Sequence, residues 1–203
     1  MSREKIGYFG GTFDPPHIGH LILASEAAYQ FKLSRLYWAL TPQPPHKQKQ
    51  AITPLEHRLA MLKSMIANNS IFEFSRLEID RPGPHYAIDT VRLLAQHEPS
   101  ADIILLIGGD SLRDLPTWRL SPDLLTAVSK IGVMRRPEDS LNLPALEEKL
   151  PGLTEKLTFI HALLQPVSSR ELRRRIAAGE MYRYYVPPSV YDYIEENKLY
   201  RGK

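Results

Sequence analysis

The stretch that decides the fold is KIGYFGGTFDPPHIGHLILASEAAYQF, residues 5–31. The apolar run KIGYF (5–9) predicts a buried strand, and GHLILASEAAYQF (19–31) predicts a helix. Where the two join, three glycines, two prolines and two histidines stand within GGTFDPPHIGH, residues 10–20. A strand that passes through a glycine-containing turn into a helix is the opening of a βαβ unit. The stretch therefore predicts an α/β fold.

The rest of the chain repeats this alternation of strands and helices. Further strands are predicted at 35–40, 72–80, 101–110, 130–136 and 157–163. Further helices are predicted at 54–68, 87–98, 168–180 and 187–200, and 144–150 is compatible with a short one. We therefore expect a Rossmann-like, doubly wound and mostly parallel sheet with helices on both faces. The pattern predicts a single domain over residues 1–203, with a small C-terminal helical part at about 165–203.

The composition restricts the class of protein. Of the 203 residues, 43% are hydrophobic, which is enough for a sizeable core. The formal net charge of +3 suits an anionic ligand without requiring nucleic acid. The sequence contains no cysteine, which excludes disulfides and thiol catalysis and fits a reducing compartment. Because no apolar stretch reaches the roughly 20 residues of a membrane span, and no signal peptide is visible, we expect a soluble, cytoplasmic protein.

Two glycine pairs end two of the predicted strands, Gly10–Gly11 in YFGG and Gly108–Gly109 in LIGGD. Glycine lets another group approach the backbone closely, because it has no Cβ. In an open parallel sheet, ligands bind beyond the carboxyl ends of the strands. The two pairs therefore indicate a nucleotide or phosphate site, although each pair could also serve only as a tight turn. Neither G-x-G-x-x-G nor the P-loop pattern occurs.

Two histidines, His17 and His20, stand at the start of the first predicted helix. The free N–H groups and the positive end of the helix dipole at that position favour a phosphate. An imidazole N–H can also donate to a phosphate oxygen. A metal site is disfavoured because no H-E-x-x-H pattern is present. A purely structural pair of histidines is the remaining alternative.

The stretch GGTFDPPHIGH resembles the H-x-G-H signature of the nucleotidyltransferase superfamily. Between residues 5 and 200, the chain is similar to the bacterial nicotinate-nucleotide adenylyltransferase family. The further blocks that carry this similarity are PPHK (44–47), HYAIDT (85–90), IGGDSLRDLPTW (107–118), VSSRELR (167–173) and YVPPSVYDYI (185–194). The resemblance implies adenylyl transfer from ATP to nicotinate mononucleotide, giving deamido-NAD and pyrophosphate, without a covalent enzyme intermediate. It also implies Mg²⁺ bound mainly through the ATP phosphates.

The resemblance assigns roles to residues that match the family's motifs. The implied catalytic residues are His17, His20, Lys47 and Arg173. Those implied to bind ATP are Gly10, Gly11, Thr12, Phe13, His17, His20, Gly108, Asp110, Ser111, Ser168, Ser169 and Arg173. Those implied to bind nicotinate mononucleotide are Thr12, Lys47, Tyr86, Thr90, Asp110, Trp118, Arg119 and Arg136. No residue is implied as a metal ligand; Asp14 could cap the turn before Pro15 or contact the metal.

Three positions depart from the family pattern: Arg170 stands where the family has threonine after two serines, Ala87 stands where it often has threonine, and Gly109 stands where alanine is common. Other interpretations remain open. The acceptor could be nicotinamide mononucleotide or pantetheine phosphate, as in other H-x-G-H adenylyltransferases. The chain could instead sense nucleotides without turnover, or bind RNA through the basic helix at Arg170–Arg175. We expect no nucleic-acid or membrane partner, and the sequence does not predict the oligomeric state.

Overall fold

The structure is a computed structural model that describes residues 3–44, 51–134, 140–163 and 166–201. The strands are β1 (Glu4–Gly11), β2 (Arg35–Leu40), β3 (Phe72–Ser75), β4 (Ala101–Gly108), β5 (Lys130–Met134) and β6 (Leu157–Phe159). The helices are α1 (Ile18–Phe31), α2 (Leu55–Ile66), α3 (Ala87–His97), α4 (Gly109–Asp114), α5 (Ser121–Ala127), α6 (Leu143–Lys149), α7 (Leu153–Lys156), α8 (Ser169–Ala177) and α9 (Pro188–Glu196). Short 3₁₀ turns occupy Leu115–Thr117 and Arg183–Tyr185.

The six strands form one sheet in the order β3-β2-β1-β4-β5-β6. Each neighbouring pair is parallel. This is the order of the doubly wound dinucleotide-binding fold, in which the chain moves outward from the centre in one direction and then in the other. The prediction of a Rossmann-like, mostly parallel sheet is confirmed, and the described strands are parallel throughout.

The core lies on both faces of the sheet, as the apolar run in β4 shows. Ile103, Leu105 and Ile107 pack into a cluster with α3 and α5. Ile104 and Leu106 point into a second cluster on the opposite face. Because side chains alternate along a strand, a strand covered on both faces is apolar at every position. Helices therefore cover both faces, as the sequence predicted.

The C-terminal helices belong to the second cluster. Leu172 and Ile176 of α8, and Val190 and Ile194 of α9, are buried there with residues of α1 and α2. The single-domain organisation stays a prediction. None of the helices in the described parts of the chain combines the length and the apolar character that a membrane span requires.

The structure corrects several predicted boundaries. The predicted strand 72–80 ends at Ser75, since Arg76 and Asp80 close a turn through a backbone hydrogen bond and a salt bridge. The predicted strand 101–110 ends at Gly108, where α4 begins, and 157–163 contributes only Leu157–Phe159. Helix α5 was not predicted; its proline at the start of the first turn is a favourable N-terminal position.

Candidate functional site

The two glycine pairs meet at the carboxyl edge of the sheet, at its centre. β1 pairs with β4 in a register that places Tyr8 opposite Leu105. Continuing this register brings Gly11 level with Gly108, the last residues of their strands. The chain leaves β1 toward β2 and leaves β4 toward β5, so the strand order changes direction between them. This is the switch point at which ligands bind in open α/β sheets.

The missing Cβ atoms at these glycines give room to the protein's own side chains. A Cβ on Gly11 would lie 2.9 Å from the Phe13 ring, and a Cβ on Gly108 would lie 2.8 Å from Oδ1 of Asp110. Asp110 also accepts a hydrogen bond from the Ser111 N–H at 2.9 Å. Glycine at 108 therefore allows the Asp110 carboxylate to lie over the end of β4.

His17 and His20 form one unit at the start of α1. His17 is the N-cap in extended backbone, and its N–H donates to Nδ1 of His20 at 3.1 Å. The two rings stack with centroids 3.7 Å apart. Because Nδ1 of His20 accepts a hydrogen bond, the proton of the neutral ring resides on Nε2. His20 therefore has an Nε2–H donor, the group that a phosphate oxygen accepts from.

Aromatic packing fixes the loop that carries these histidines. The Phe13 ring contacts the rings of Phe9, Trp38 and His20 at centroid distances of 5.4, 5.5 and 5.1 Å. Phe13 is buried and has a positive φ of 47°, which is unfavourable for a residue with a Cβ. Buried ring contacts hold this conformation, so the backbone of the loop has a defined path.

Helix α8 brings the C-terminal motif against the same loop. Ser168 caps the helix by accepting from the Glu171 N–H at 3.2 Å, and the Ser169 hydroxyl donates to the Pro15 carbonyl at 2.9 Å. The Arg173 guanidinium donates to the Asp14 carbonyl at 2.6 Å. Residues separated by about 150 positions in the sequence therefore contact one loop.

Two further arginines of α8, Arg174 and Arg175, are paired with carboxylates. Arg174 contacts Glu171 and Glu180 at 2.8 and 2.7 Å, and Arg175 contacts Glu171 at 3.1 Å. These pairs match a solvated helix face, and they neutralise the charge that an RNA-binding stripe would need.

A second group of predicted residues gathers at the start of α3. Tyr86 is the N-cap of this helix, and the Arg119 guanidinium lies 5.2 Å from the centroid of its ring. Tyr86 and Trp118 both pack, partly buried, at the edge of the cluster beneath β4. Thr90 is fully buried; its hydroxyl accepts from Arg81 at 3.1 Å. Thr90 therefore supports the helix start instead of presenting its hydroxyl at the surface.

Two predicted residues, Lys47 and Arg136, lie outside the described residues, as does Arg135. Thr12 lies in the β1–α1 loop, where its carbonyl accepts from Arg58 at 3.0 Å. Among the residues that the structure describes, no group of three His, Asp or Glu side chains is arranged to hold a metal ion.

Beneath this site lies a buried polar group that sequence reasoning missed. The Tyr8 hydroxyl donates to Glu78 at 2.7 Å, and both side chains are buried. Burial raises the pKa of the Glu78 carboxyl. Burial also raises the pKa of the Tyr8 hydroxyl, and the negative charge of Glu78 raises it further. Glu78 lies in what the sequence indicates as a strand, FEFSRLEID (72–80), and no local signal shows that its side chain faces inward.

Comparison with known proteins identifies relatives of this chain. The cytidylyltransferase-like family model matches residues 8–175. A probable nicotinate-nucleotide adenylyltransferase of Roseiflexus is 43% identical, with 99% of this chain and all of the relative covered. The nicotinate-nucleotide adenylyltransferase of Bacillus subtilis is 39% identical, with 98% of this chain and all of the relative covered.

Solved structures of lower identity share the fold. The nicotinic acid mononucleotide adenylyltransferase of Plasmodium falciparum, complexed with NaAD, has a TM-score of 0.79 at 18% identity, and 97% of each chain is covered. The same enzyme complexed with APC has a TM-score of 0.77 over the same share of each chain. At this identity the likeness bears on the fold alone.

Proposed function

Since this chain belongs to the nicotinate-nucleotide adenylyltransferase family, we propose that it transfers the adenylyl group of ATP to nicotinate mononucleotide, releasing pyrophosphate and forming deamido-NAD in NAD biosynthesis. The observation that carries the proposal is the convergence of His17, His20 and Arg173 on one loop at the switch point of the sheet. The chain is therefore a nucleotide-phosphate-binding enzyme, and we propose the cytoplasm as its location.

The ATP site in this proposal lies over the ends of β1 and β4. The Nε2–H of His20 donates to the triphosphate and stabilises the charge that develops at the α-phosphorus. Arg173, held at the Asp14 carbonyl, adds a fixed positive charge beside the same loop. The glycines bring backbone close to the nucleotide, and Asp110 accepts from a ribose hydroxyl. The full proposed set is Gly10, Gly11, Thr12, Phe13, His17, His20, Gly108, Asp110, Ser111, Ser168, Ser169 and Arg173.

The acceptor site lies at the start of α3. Trp118 stacks on the pyridine ring, and the Arg119–Tyr86 pair places a positive charge near the nicotinate carboxylate. Lys47 and Arg136 are proposed as phosphate contacts from their motifs. Thr90 acts here through the backbone of Tyr86, since its hydroxyl is 3.4 Å from that carbonyl.

The reaction in this proposal is a direct in-line displacement. An oxygen of the mononucleotide phosphate attacks the α-phosphorus of ATP, the new P–O bond forms, and the bond to the β-phosphate oxygen breaks with departure of pyrophosphate. The protein aligns two anions and stabilises charge, because no side chain forms a covalent intermediate.

We propose that Mg²⁺ enters with ATP, bound by phosphate oxygens and water, and lowers the charge repulsion between the two substrates. The donor set fits this arrangement. Asp14 is the carboxylate in the motif, but it is only 4% exposed and accepts hydrogen bonds from Tyr200 and from the Thr53 N–H. Its oxygens are committed to the protein, so the phosphates themselves supply the metal ligands.

The test is pyrophosphate release by purified protein with ATP, Mg²⁺ and nicotinate mononucleotide, against a heat-inactivated control. We expect pyrophosphate release above the control, and its absence would refute the proposed enzymatic activity. Parallel reactions with nicotinamide mononucleotide and phosphopantetheine measure the acceptor preference. We expect nicotinate mononucleotide to give the highest kcat/KM of the three acceptors. A nucleotide sensor would instead bind ATP without releasing pyrophosphate.

A further inference from the structure

Asp14 lies in the loop between the glycines and the histidines, yet its side chain turns into the protein. Its Oδ1 accepts from the hydroxyl of Tyr200 at 2.7 Å, and its Oδ2 accepts from the backbone N–H of Thr53 at 3.3 Å. Tyr200 is 186 positions away in the sequence. The loop is therefore tied by one carboxylate to the segment before α2 and to the segment after α9.

Arg58 of α2 lies beside this carboxylate and holds the same region through backbone carbonyls. Its guanidinium donates to the carbonyls of Thr12, Thr41, Pro42 and Thr53 at 2.8 to 3.0 Å. It is 2% exposed. A planar fork of five donors can satisfy several acceptors in fixed directions, which a lysine ammonium cannot. Arg58 thus joins the loop after β1, the loop after β2 and the entry to α2.

The charges of Arg58 and Asp14 support each other. Burial lowers the pKa of Arg58, and the negative charge of Asp14 opposes this shift. Burial raises the pKa of the Tyr200 hydroxyl, and the charge of Asp14 raises it further. Buried charges are costly unless they are paired and hydrogen-bonded, so removal of one partner affects the whole group.

We propose that Arg58 and Tyr200 are positioning residues for the transfer reaction: with Asp14 they form a largely buried node that fixes the path of the β1–α1 loop and hence the positions of His17 and His20. Neither side chain contacts substrate in this proposal. The inference rests on the proposed function for its kinetic consequence, whereas its structural consequence can be measured without any substrate.

The test compares Tyr200→Phe with Tyr182→Phe. The Tyr182 hydroxyl also donates to a carboxylate at 2.7 Å, Oε1 of Glu195, but this pair does not touch the β1–α1 loop. Each variant loses one hydroxyl and one hydrogen bond of equal length. We expect kcat to fall about tenfold in Tyr200→Phe, the scale of one hydrogen bond to a charged group, with less change in KM. We expect Tyr182→Phe to stay within about twofold of the native chain.

Hydrogen exchange of the free protein provides the independent measurement. We expect amides within residues 9–20 to exchange faster in Tyr200→Phe and to be unchanged in Tyr182→Phe. If Tyr200→Phe exchanges faster but the native chain shows no turnover, the proposed function is refuted and the positioning role of the node is not. The positioning role of the node would be refuted if Tyr200→Phe kept the native kcat and the native exchange rates. It would also be refuted if Tyr200→Phe and Tyr182→Phe lost kcat equally.

Arg58→Lys is the second variant if Tyr200→Phe does not fold. It keeps the positive charge beside Asp14 but replaces the fork of five donors with three. We expect the same amides within residues 9–20 to exchange faster than in the native chain and kcat to fall by more than about tenfold, since more than one hydrogen bond to the loops is lost. A folded Arg58→Lys protein with native exchange and native kcat would refute the positioning role.

Discussion

The backbone N–H of His17 donates to Nδ1 of His20 at 3.1 Å, and the two rings stack 3.7 Å apart. This relationship orders the first turn of α1 and leaves the Nε2 side of His20 as a hydrogen-bond donor. One nitrogen of His20 thus accepts from the backbone of His17, and the other carries the proton that we propose is donated to a phosphate oxygen. The two roles can be separated by substitution.

Substitution of His20 should distinguish these nitrogens. His20→Ala is expected to lower kcat by about 10², the scale of one lost donor to transition-state charge. In His20→Asn, the amide oxygen can replace Nδ1 as the acceptor for His17, so the fold is kept while kcat stays low. In His20→Gln, the amide nitrogen can reach the Nε2 position, so more activity should remain than in the asparagine variant.

Steady-state pyrophosphate release and thermal unfolding of the three variants provide the measurements. His97→Ala, at the exposed end of α3, is the control and should change neither quantity. Higher kcat in His20→Asn than in His20→Gln would contradict the assignment of Nε2 as the phosphate donor.

Gly108→Ala tests whether the close approach at the end of β4 serves function. The added Cβ would meet Oδ1 of Asp110 at 2.8 Å, and this flexible carboxylate can move away at little cost in stability. We expect the melting temperature to change little and kcat/KM to fall about tenfold, the scale of a lost charged hydrogen bond to a ribose.

Gly132→Ala is the matched control in β5. There the added Cβ would lie 2.7 Å from Phe31 and 2.8 Å from Leu106, both packed in the core. Overpacking should lower the free energy of unfolding by about 1–3 kcal/mol, whereas kcat of the folded fraction should stay native. The reverse pattern in the two variants would remove Asp110 from the proposed ATP site.

The alternation of strands and helices could be predicted because apolar periodicity is a local property. Arg35–Leu40 was predicted with both ends correct, since charged and loop residues flank a short apolar run. The run 72–80 was predicted too long because its pattern continues past Ser75, whereas the Arg76–Asp80 contact that ends the strand is not visible in the pattern.

Some residues of the candidate site could likewise be predicted from the sequence, and others could not. Glycines and histidines stand together in one stretch, so the loop that we propose binds phosphate could be picked out from the sequence. The node could not, because Arg58 looks like one more charged residue on an amphipathic helix. Its acceptors come from three separate segments, and Tyr200 reaches Asp14 across almost the whole chain. Such contacts exist only after folding.

Arg119 is expected to favour the acid over the amide of the mononucleotide. Its guanidinium lies over the Tyr86 ring, beside the proposed nicotinate subsite. Arg119→Gln should raise KM for nicotinate mononucleotide about fivefold, the scale of one exposed charge pair, and change KM for nicotinamide mononucleotide little. Arg113→Gln is the control, since Arg113 is exposed on α4 and pairs with Asp114. Equal effects on both acceptors would exclude a charge-based preference.

The last prediction concerns stability at the amino end of the sheet, far from the site. Arg35 donates to both carboxylate oxygens of Glu98 at 2.7 and 2.9 Å, and the Tyr37 hydroxyl donates at 2.6 Å. The hydrogen bonds from Arg35, and then from Tyr37, hold the pKa of Glu98 below its usual value of 4.5. A lowered pKa means that the folded state favours the ionised form. The stabilisation is therefore present above about pH 4.5 and is lost as pH falls through the lowered pKa.

Glu98→Gln should consequently reduce the free energy of unfolding by about 1 kcal/mol at pH 7, the scale of a partly exposed pair with good geometry. The difference from the native chain should shrink between pH 5 and pH 3, because protonation removes the charge from the native carboxylate as well. Urea denaturation at a series of pH values measures this difference in the free energy of unfolding. Glu196→Gln is the control, because Glu196 is exposed. Because the Glu98 contacts lie at the opposite edge of the sheet from His20, kcat at pH 7 should be unchanged. A deficit that stays constant down to pH 3 would show that packing, and not the charge of Glu98, supplies the stabilisation.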